Sequence, residues 1–259
     1  MNPPLSGLTV LVTRPLPQAH ALAQTLYDLG AGPVIFPGME IEPVQDARLA
    51  SALREIERAE VVVFVSPSAA RIGMALVRSA GGLPRRALVA AVGPGTARAL
   101  SDEGVTQVLM PNEGYDSAAL ARHPALQAVA GKCIVVFRGE GGREHLLDTL
   151  RERGARVVLA QCYRRVRPSG RFADALARWN RDEAVWTATS SEIVDNLFAV
   201  AGETGSALLR SKVLFVPHAR IAARAFAHGV QRIFVTGPGD AGLVAGLKTW
   251  RLGLRDDRN

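Results

Sequence analysis

The stretch from Arg156 to Pro168 begins as an apolar β run and then turns polar through Arg164, Arg165 and Arg167 without the turn residues that should end a buried strand. A strand that leaves its core in this way is crossing to another part of the molecule. A second stretch behaves alike: Pro33 to Val44 starts with Val34, Ile35 and Phe36, passes Pro37 and Gly38, and continues as Glu40-Ile41-Glu42-Pro43-Val44. One exit is basic and the other acidic, so the two can pair as a two-stranded bridge between two lobes. Tyr163 then sits on that bridge and faces whatever cleft the lobes form.

Around these exits, helix and strand signals alternate, which defines an α/β chain. Strands are predicted over Leu8–Val12, Val61–Val65, Leu88–Val92, Gln107–Met110, Cys133–Phe137, Glu183–Thr187, Val213–Val216 and Arg232–Thr236. Helical spacing covers 17–29, 49–58, 66 onward, the stretch after the Gly93–Thr96 turn to 102, 116 or 117 onward, 142–153, 172–179, 191–200, 219–227 and 241–250. The two halves resemble each other. Val10-Leu11-Val12-Thr13-Arg14 reads like Ile134-Val135-Val136-Phe137-Arg138, and each arginine precedes a helix-ending glycine, Gly30 or Gly154, by the same distance. Ser66 precedes the Gly93 turn as Ser190 precedes Pro217. A duplicated unit implies two similar lobes, and a ligand site between similar lobes is a common arrangement. Patterns alone leave open whether the halves are cut in tandem near Gly131 or exchange their first strand and helix.

Several strands end in short polar or glycine-rich turns that open helices: Thr13-Arg14-Pro15, Ser66-Pro67-Ser68, Gly93-Pro94-Gly95-Thr96, Arg138-Gly139-Glu140-Gly141-Gly142 and Thr189-Ser190-Ser191. In a parallel sheet these lie where helix N-termini offer free N–H groups to anions. Ordinary capping accounts for any one of them; five together favour a ligand rich in carboxylates or phosphates. The formal charge of +7 over 259 residues agrees with an anionic partner. Aromatics are few and the arginines are scattered over many elements, which disfavours nucleic acid.

Other chemistry finds little support. Gly237-Pro238-Gly239-Asp240-Ala241-Gly242 matches a dinucleotide fingerprint, yet the chain runs out before the strand and acidic residue that such a site needs. The five histidines lie far apart and neither Cys133 nor Cys162 belongs to a paired motif, so no metal is expected. His145 reads as a helix-surface residue and His218 as a capping one. The serines lack a nucleophile-elbow context. Both cysteines fall in apolar strand patterns and read as reduced core thiols. The N-terminus has no basic region before Leu8–Val12 and no stretch reaches membrane-spanning length, which points to the cytoplasm and to no membrane partner. The end from Arg251 to Arg258 reads as a frayed tail.

Taken together, Leu11-Val12-Thr13-Arg14-Pro15, Phe64-Val65-Ser66-Pro67-Ser68-Ala69, Ala91-Val92-Gly93-Pro94-Gly95-Thr96-Ala97, Phe137-Arg138-Gly139-Glu140-Gly141-Gly142-Arg143-Glu144 and Cys162-Tyr163 resemble the uroporphyrinogen-III synthase family over residues 8–248. The arginine and glycine signature at 137–144 is the most specific of these. The resemblance implies two flavodoxin-like lobes with parallel sheets, 1–37 plus 169–259 and 46–156, joined by a two-stranded antiparallel ladder of 38–45 and 157–168. It implies a monomer without cofactor that closes hydroxymethylbilane, a linear tetrapyrrole with eight carboxylates, into uroporphyrinogen III with inversion of ring D. Transient contact with the preceding pathway enzyme goes with that reading. Tyr163 matches the family's cleft tyrosine and is expected to help the hydroxyl leave, because a neutral phenol donates a proton without placing a fixed charge beside a carbocation. Thr96 matches its cleft threonine. Arg14, Ser66, Ser68, Gly93, Arg138, Gly139, Ser190, Ser191 and Thr236 are the remaining substrate-binding expectations. The late turn Thr236-Gly237-Pro238-Gly239-Asp240 departs from the family's Gly-x-Thr type, and Asp240 suits an anionic ligand poorly. A two-lobed module that binds an anion without chemistry is the competing reading.

Overall fold

A computed structural model describes residues 3–142 and 144–256. In chain order its elements are β1 (Thr9–Val12), α1 (Leu16–Asp28), β2 (Gly32–Ile35), β3 (Glu40–Pro43), α2 (Ala47–Arg54), β4 (Val61–Phe64), α3 (Pro67–Ser79), β5 (Leu88–Ala91), α4 (Pro94–Asp102), α5 (Ser117–Arg122), β6 (Cys133–Gly139), α6 (His145–Glu152), β7 (Arg156–Val166), α7 (Phe172–Trp179), β8 (Ala184–Thr187), α8 (Ser191–Val200), α9 (Gly202–Ser211), β9 (Val213–Val216), α10 (Ala219–Ala227), β10 (Ile233–Val235) and α11 (Gly239–Asp256). The chain divides into two compact units, Met1–Glu40 with Val166–Asn259, and Ile41–Arg165.

The first unit holds a five-stranded sheet in the order β10-β9-β8-β1-β2, every pair of which is parallel. Strands such as Val213-Leu214-Phe215-Val216 are apolar throughout and buried along their whole length, as strands covered on both faces must be. Phe36 closes edge-to-face on Phe172 at 4.9 Å. Gly38 is a glycine because a Cβ there would come within 2.8 Å of Ile193.

In the second unit the order is β3-β7-β6-β4-β5, with β7, β6, β4 and β5 parallel. Its two faces carry separate cores, divided by the period-2 alternation of the strands. Val62, Phe64, Val135 and Phe137 pack with α2 and α3; Val61, Val63, Ile134 and Val136 pack with α5 and α6. Asp46, Ser66 and Asp116 start α2, α3 and α5 by accepting the backbone N–H three residues on.

The stretch 33–44 is two strands in two sheets, broken at Phe36–Met39. Val44 donates its backbone N–H to Cys162 at 3.0 Å, and Arg164 pairs with Glu42 at 2.9 Å, so residue numbers fall on β3 as they rise on β7. Three expectations are corrected. The strand expected at Gln107–Met110 is a single bridge from Leu109 to Ala90. The helix expected from Gly142 starts at His145, because Gly141 and Gly142 take φ of +69° and +102°. The helix α9 was not expected, since Gly202 and Gly205 weaken its signal; Gly205 is required there because a Cβ would sit 2.9 Å from the Phe172 ring.

Candidate active site

β4 and β6 are neighbours, yet the helices that follow them, α3 and α6, pack on opposite faces. That is the point in an open parallel sheet where the strand order reverses and ligands bind at the carboxyl ends. A cavity of about 140 Å³ lies there. Its apolar floor is Val65, Val136, Leu146 and Leu147, and its polar wall is Ser66, Ser117, Arg138, Gly139, Tyr163 and Arg165.

Tyr163 reaches this wall through an irregularity in β7. Arg138 lies opposite Gln161, but Gly139 lies opposite Tyr163, so Cys162 is an extra residue in its strand. The bulge breaks the alternation: Cys162 and Tyr163 are both buried and both join the core on the α3 face. The phenol is 2% exposed, and its oxygen lies 3.0 Å from Ser66 Oγ. Ser66 Oγ also accepts the Ala69 N–H at 3.0 Å, so the cap that starts α3 fixes the hydroxyl that meets the phenol. Gly139 makes room for the ring, since a Cβ there would stand 2.5 Å from Tyr163 Cε2. Burial pushes the neighbouring Cys162 thiol up to about 12, and both cysteines are free and buried, in keeping with inert core thiols.

Arg138 is 4% exposed and turned inward. It donates to the Gly139 and Gly141 carbonyls and pairs with Glu144 at 2.8 Å, so the glycine loop is wrapped around its guanidinium. Arg143 of that signature lies outside the described residues, as do residues 257 and 258 of the expected frayed tail; the rest of that stretch is instead the end of α11, where Arg251 is buried and donates to the Ser6 carbonyl and to Glu183. Ser68 is half-buried in the first turn of α3. Gly93 caps α4 beneath Tyr115, whose Cβ would be 3.0 Å from a Gly93 Cβ, and Thr96 is buried one turn further on. The cavity thus gathers Ser66, Arg138, Gly139 and Tyr163 from the expected residues, and leaves Ser68, Gly93 and Thr96 off its lining. Arg165 and Ser117 line it and were not expected. The signal for Arg165 was strand alternation from Tyr163, and for Ser117 its place after the capping Asp116.

The other expected residues belong to the first unit. Ser190 caps α8 by accepting the Ile193 N–H at 3.2 Å, and Ser191 follows it half-buried. Arg14 pairs with Asp240, so the acid that suits an anion poorly already holds an expected anion-binding group. Thr236 donates to the Gly237 carbonyl at 3.0 Å. The dinucleotide-like glycines are explained by packing: a Cβ on Gly242 would lie 2.3 Å from the Gly237 backbone. His218 caps α10 and His145 is exposed. Among the described residues no cluster of three or more acidic, histidine or cysteine side chains could hold a metal, and no helix is long and apolar enough to cross a membrane.

A parallel α/β unit with a pocket at the carboxyl strand ends, floored by aliphatic side chains and walled by hydroxyls and guanidinium groups, places the chain among α/β proteins with a candidate small-molecule site. Across residues 20–245 the sequence matches the family model of uroporphyrinogen-III synthase HemD, and the chain belongs to that family. It is 32% identical to the uroporphyrinogen-III synthase of Escherichia coli K12 over 74% of this chain and 80% of the relative, and 32% identical to that of Salmonella typhimurium LT2 over 81% and 87%. The fold is that of a mutant uroporphyrinogen III synthase from the extremely thermophilic bacterium Thermus thermophilus, with a TM-score of 0.58 at 20% identity over 95% of this chain and 99% of that one. The Helicobacter pylori enzyme gives 0.59 at 12% identity, also over 95% and 99%. The family is one of haem-biosynthetic enzymes, cyclising lyases, and the chain is an enzyme of that class.

Proposed function

We propose that the chain converts hydroxymethylbilane into uroporphyrinogen III, with the chemistry started at Tyr163. The observation that carries this reading is the phenol held 3.0 Å from Ser66 Oγ in the wall of a cavity that, among the described residues, no carboxylate lines. Tyr163 gives its proton to the substrate's hydroxymethyl oxygen, and water leaves. The pyrrole nitrogen lone pair supplies the electrons, which leaves an azafulvene. Ring D attacks it through its substituted carbon, giving a spiro intermediate that rearranges with ring D inverted. Ring closure releases one proton from ring D, which balances the one consumed, so water is the only by-product. Unassisted closure gives the symmetrical type I isomer, so the protein's task is to hold the chain folded against the easier route.

Ser66, Ser68, Gly93, Thr96, Arg138 and Gly139 of the second unit and Arg14, Ser190, Ser191 and Thr236 of the first are assigned to substrate. The excess of basic side chains suits its eight carboxylates. Arg138 contributes by shaping the glycine loop, whose backbone faces the ligand. Two flavodoxin-like lobes, 1–37 with 169–259 and 46–156, are joined in this reading by the ladder of 38–45 and 157–168, and the opposed numbering of the β3 and β7 contacts supports it. The enzyme works as a cytoplasmic monomer with transient contact to the enzyme that makes its substrate. A binding module without chemistry is not favoured, because the relatives that match most of the chain carry the name of the enzyme. Incubating pure protein with fresh hydroxymethylbilane and separating the product isomers tests the reading. Type III product is expected, and a mixture left at the spontaneous type I product overturns it.

A further inference from the structure

Two guanidinium groups line the cavity, and they are not equivalent. Arg138 is buried, and its donors go to Gly139, Gly141 and Glu144. Arg165 is exposed and, among the described residues, makes no hydrogen bond or ion pair; its recorded contact is with the Tyr163 ring, 5.9 Å from guanidinium carbon to centroid. The sequence places it there. Tyr163 and Arg165 are two apart on β7 and share a side of the strand, whereas Arg164 points the other way and is taken by Glu42. The strand therefore gives one arginine to β3 and keeps the next for the cavity.

We propose that Arg165 binds a carboxylate of the pyrrole whose hydroxyl leaves at Tyr163, an inference that rests on the proposed function. Among the described residues no acidic side chain lines the cavity, so nothing in that wall neutralises this cation. A planar guanidinium takes a carboxylate through two parallel hydrogen bonds, which fixes orientation as well as charge. Chemistry makes the same demand. An uncompensated cation beside the phenol would oppose the positive charge that develops as water departs, and a bound acetate or propionate arm of the substrate removes that opposition. Arg165 is thus a binding and positioning group, and Tyr163 remains the proton donor.

Steady-state kinetics on fresh hydroxymethylbilane with Arg165→Gln, Arg165→Lys and Arg164→Gln test the assignment. Losing one charge-assisted pair should raise KM roughly tenfold or more in Arg165→Gln, leave kcat within about threefold, and flatten the rise of KM with salt. Arg165→Lys should fall between, and Arg164→Gln should match the parent protein. Equilibrium binding of uroporphyrin, an octacarboxylate, should weaken in Arg165→Gln by a similar factor and stay unchanged in Arg164→Gln. Unchanged KM and binding in Arg165→Gln, or an equal rise in Arg164→Gln, overturns the assignment. Parent protein that yields only type I product sinks the reaction itself, while the uroporphyrin comparison still decides Arg165.

Discussion

At the scale of the residue, one hydroxyl separates two roles for Tyr163. Its ring is a core residue, 2% exposed and packed with Phe64 and Phe137 in one cluster, so its apolar part serves stability whatever its oxygen does. Tyr163→Phe keeps that ring and removes the oxygen that meets Ser66. Loss of this half-buried hydrogen bond should cost about 1 kcal/mol of stability. Loss of a general acid should lower kcat by roughly 100-fold or more. Kinetics alongside thermal unfolding check both, and unchanged turnover would return Tyr163 to packing alone. The sequence offered Tyr163 through family likeness and through its place on a strand that leaves its core. The bulge left no mark of its own in the sequence, because successive apolar residues like Cys162 and Tyr163 also run through unbulged strands covered on both faces, such as β9. Nor did the sequence convey that Arg138 turns inward. That orientation depends on Gly141, Gly142 and Glu144 closing on the guanidinium, a contact set by loop geometry that no periodicity encodes.

Among elements, α3 packs closely on β4 and β6 in the second unit's core, and Gly73 allows the approach. The Phe64 and Phe137 rings stack at 5.0 Å with 9° between their planes, and a Cβ on Gly73 would lie 2.7 Å from Phe137 and 2.9 Å from Phe64. Two effects of Gly73→Ala oppose each other. Alanine favours the helix by about 1 kcal/mol over glycine, while overpacking against rigid rings costs about 1–3 kcal/mol. The rings lie flat against each other in a closed core and have little room to yield, so overpacking wins. The variant should melt lower than the parent protein in a thermal scan; an equal or higher Tm would mean that α3 can slide. Glycines of this kind also limited what was legible. Long apolar strands and capped helices declare themselves because burial and capping act locally, and β4, β6, α3 and α8 fall where their patterns place them. Gly202 and Gly205 hide α9 for different reasons: Gly202 takes a φ of +64°, whereas the demand for a small residue at Gly205 comes in part from Phe172, a distant part of the chain.

For the whole molecule, the repeat in the sequence and the repeat in space do not coincide. Thr9 pairs with Gly32 as Cys133 pairs with Arg156, and Val10 pairs with Val185 as Ile134 pairs with Val61. The sister halves therefore share four strands in one order, β9-β8-β1-β2 and β5-β4-β6-β7, with β10 added to one sheet and β3 to the other, but each half gives its first two strands to one sheet and its later strands to the other. Duplication was readable from the matched arginine and glycine spacings, whereas the exchange was not, because likeness between halves carries no information about which copies pack together. A physical consequence follows for fragments. Residues 41–165 are continuous and hold β4, β5, β6 and β7 with both cores that sandwich them. A fragment ending at Gly131 keeps β4 and β5 but loses β6, the neighbour of β4 along Val61–Phe64, and it strips β1 of β8 as well. An isolated pair of strands does not sustain a core in water, and a unit with its own buried sheet does. The 41–165 fragment should therefore give an α/β far-ultraviolet spectrum and a cooperative melt, and the 1–131 fragment should give neither. A cooperative fold for 1–131 together with an unfolded 41–165 would mean that the halves pack in tandem after all.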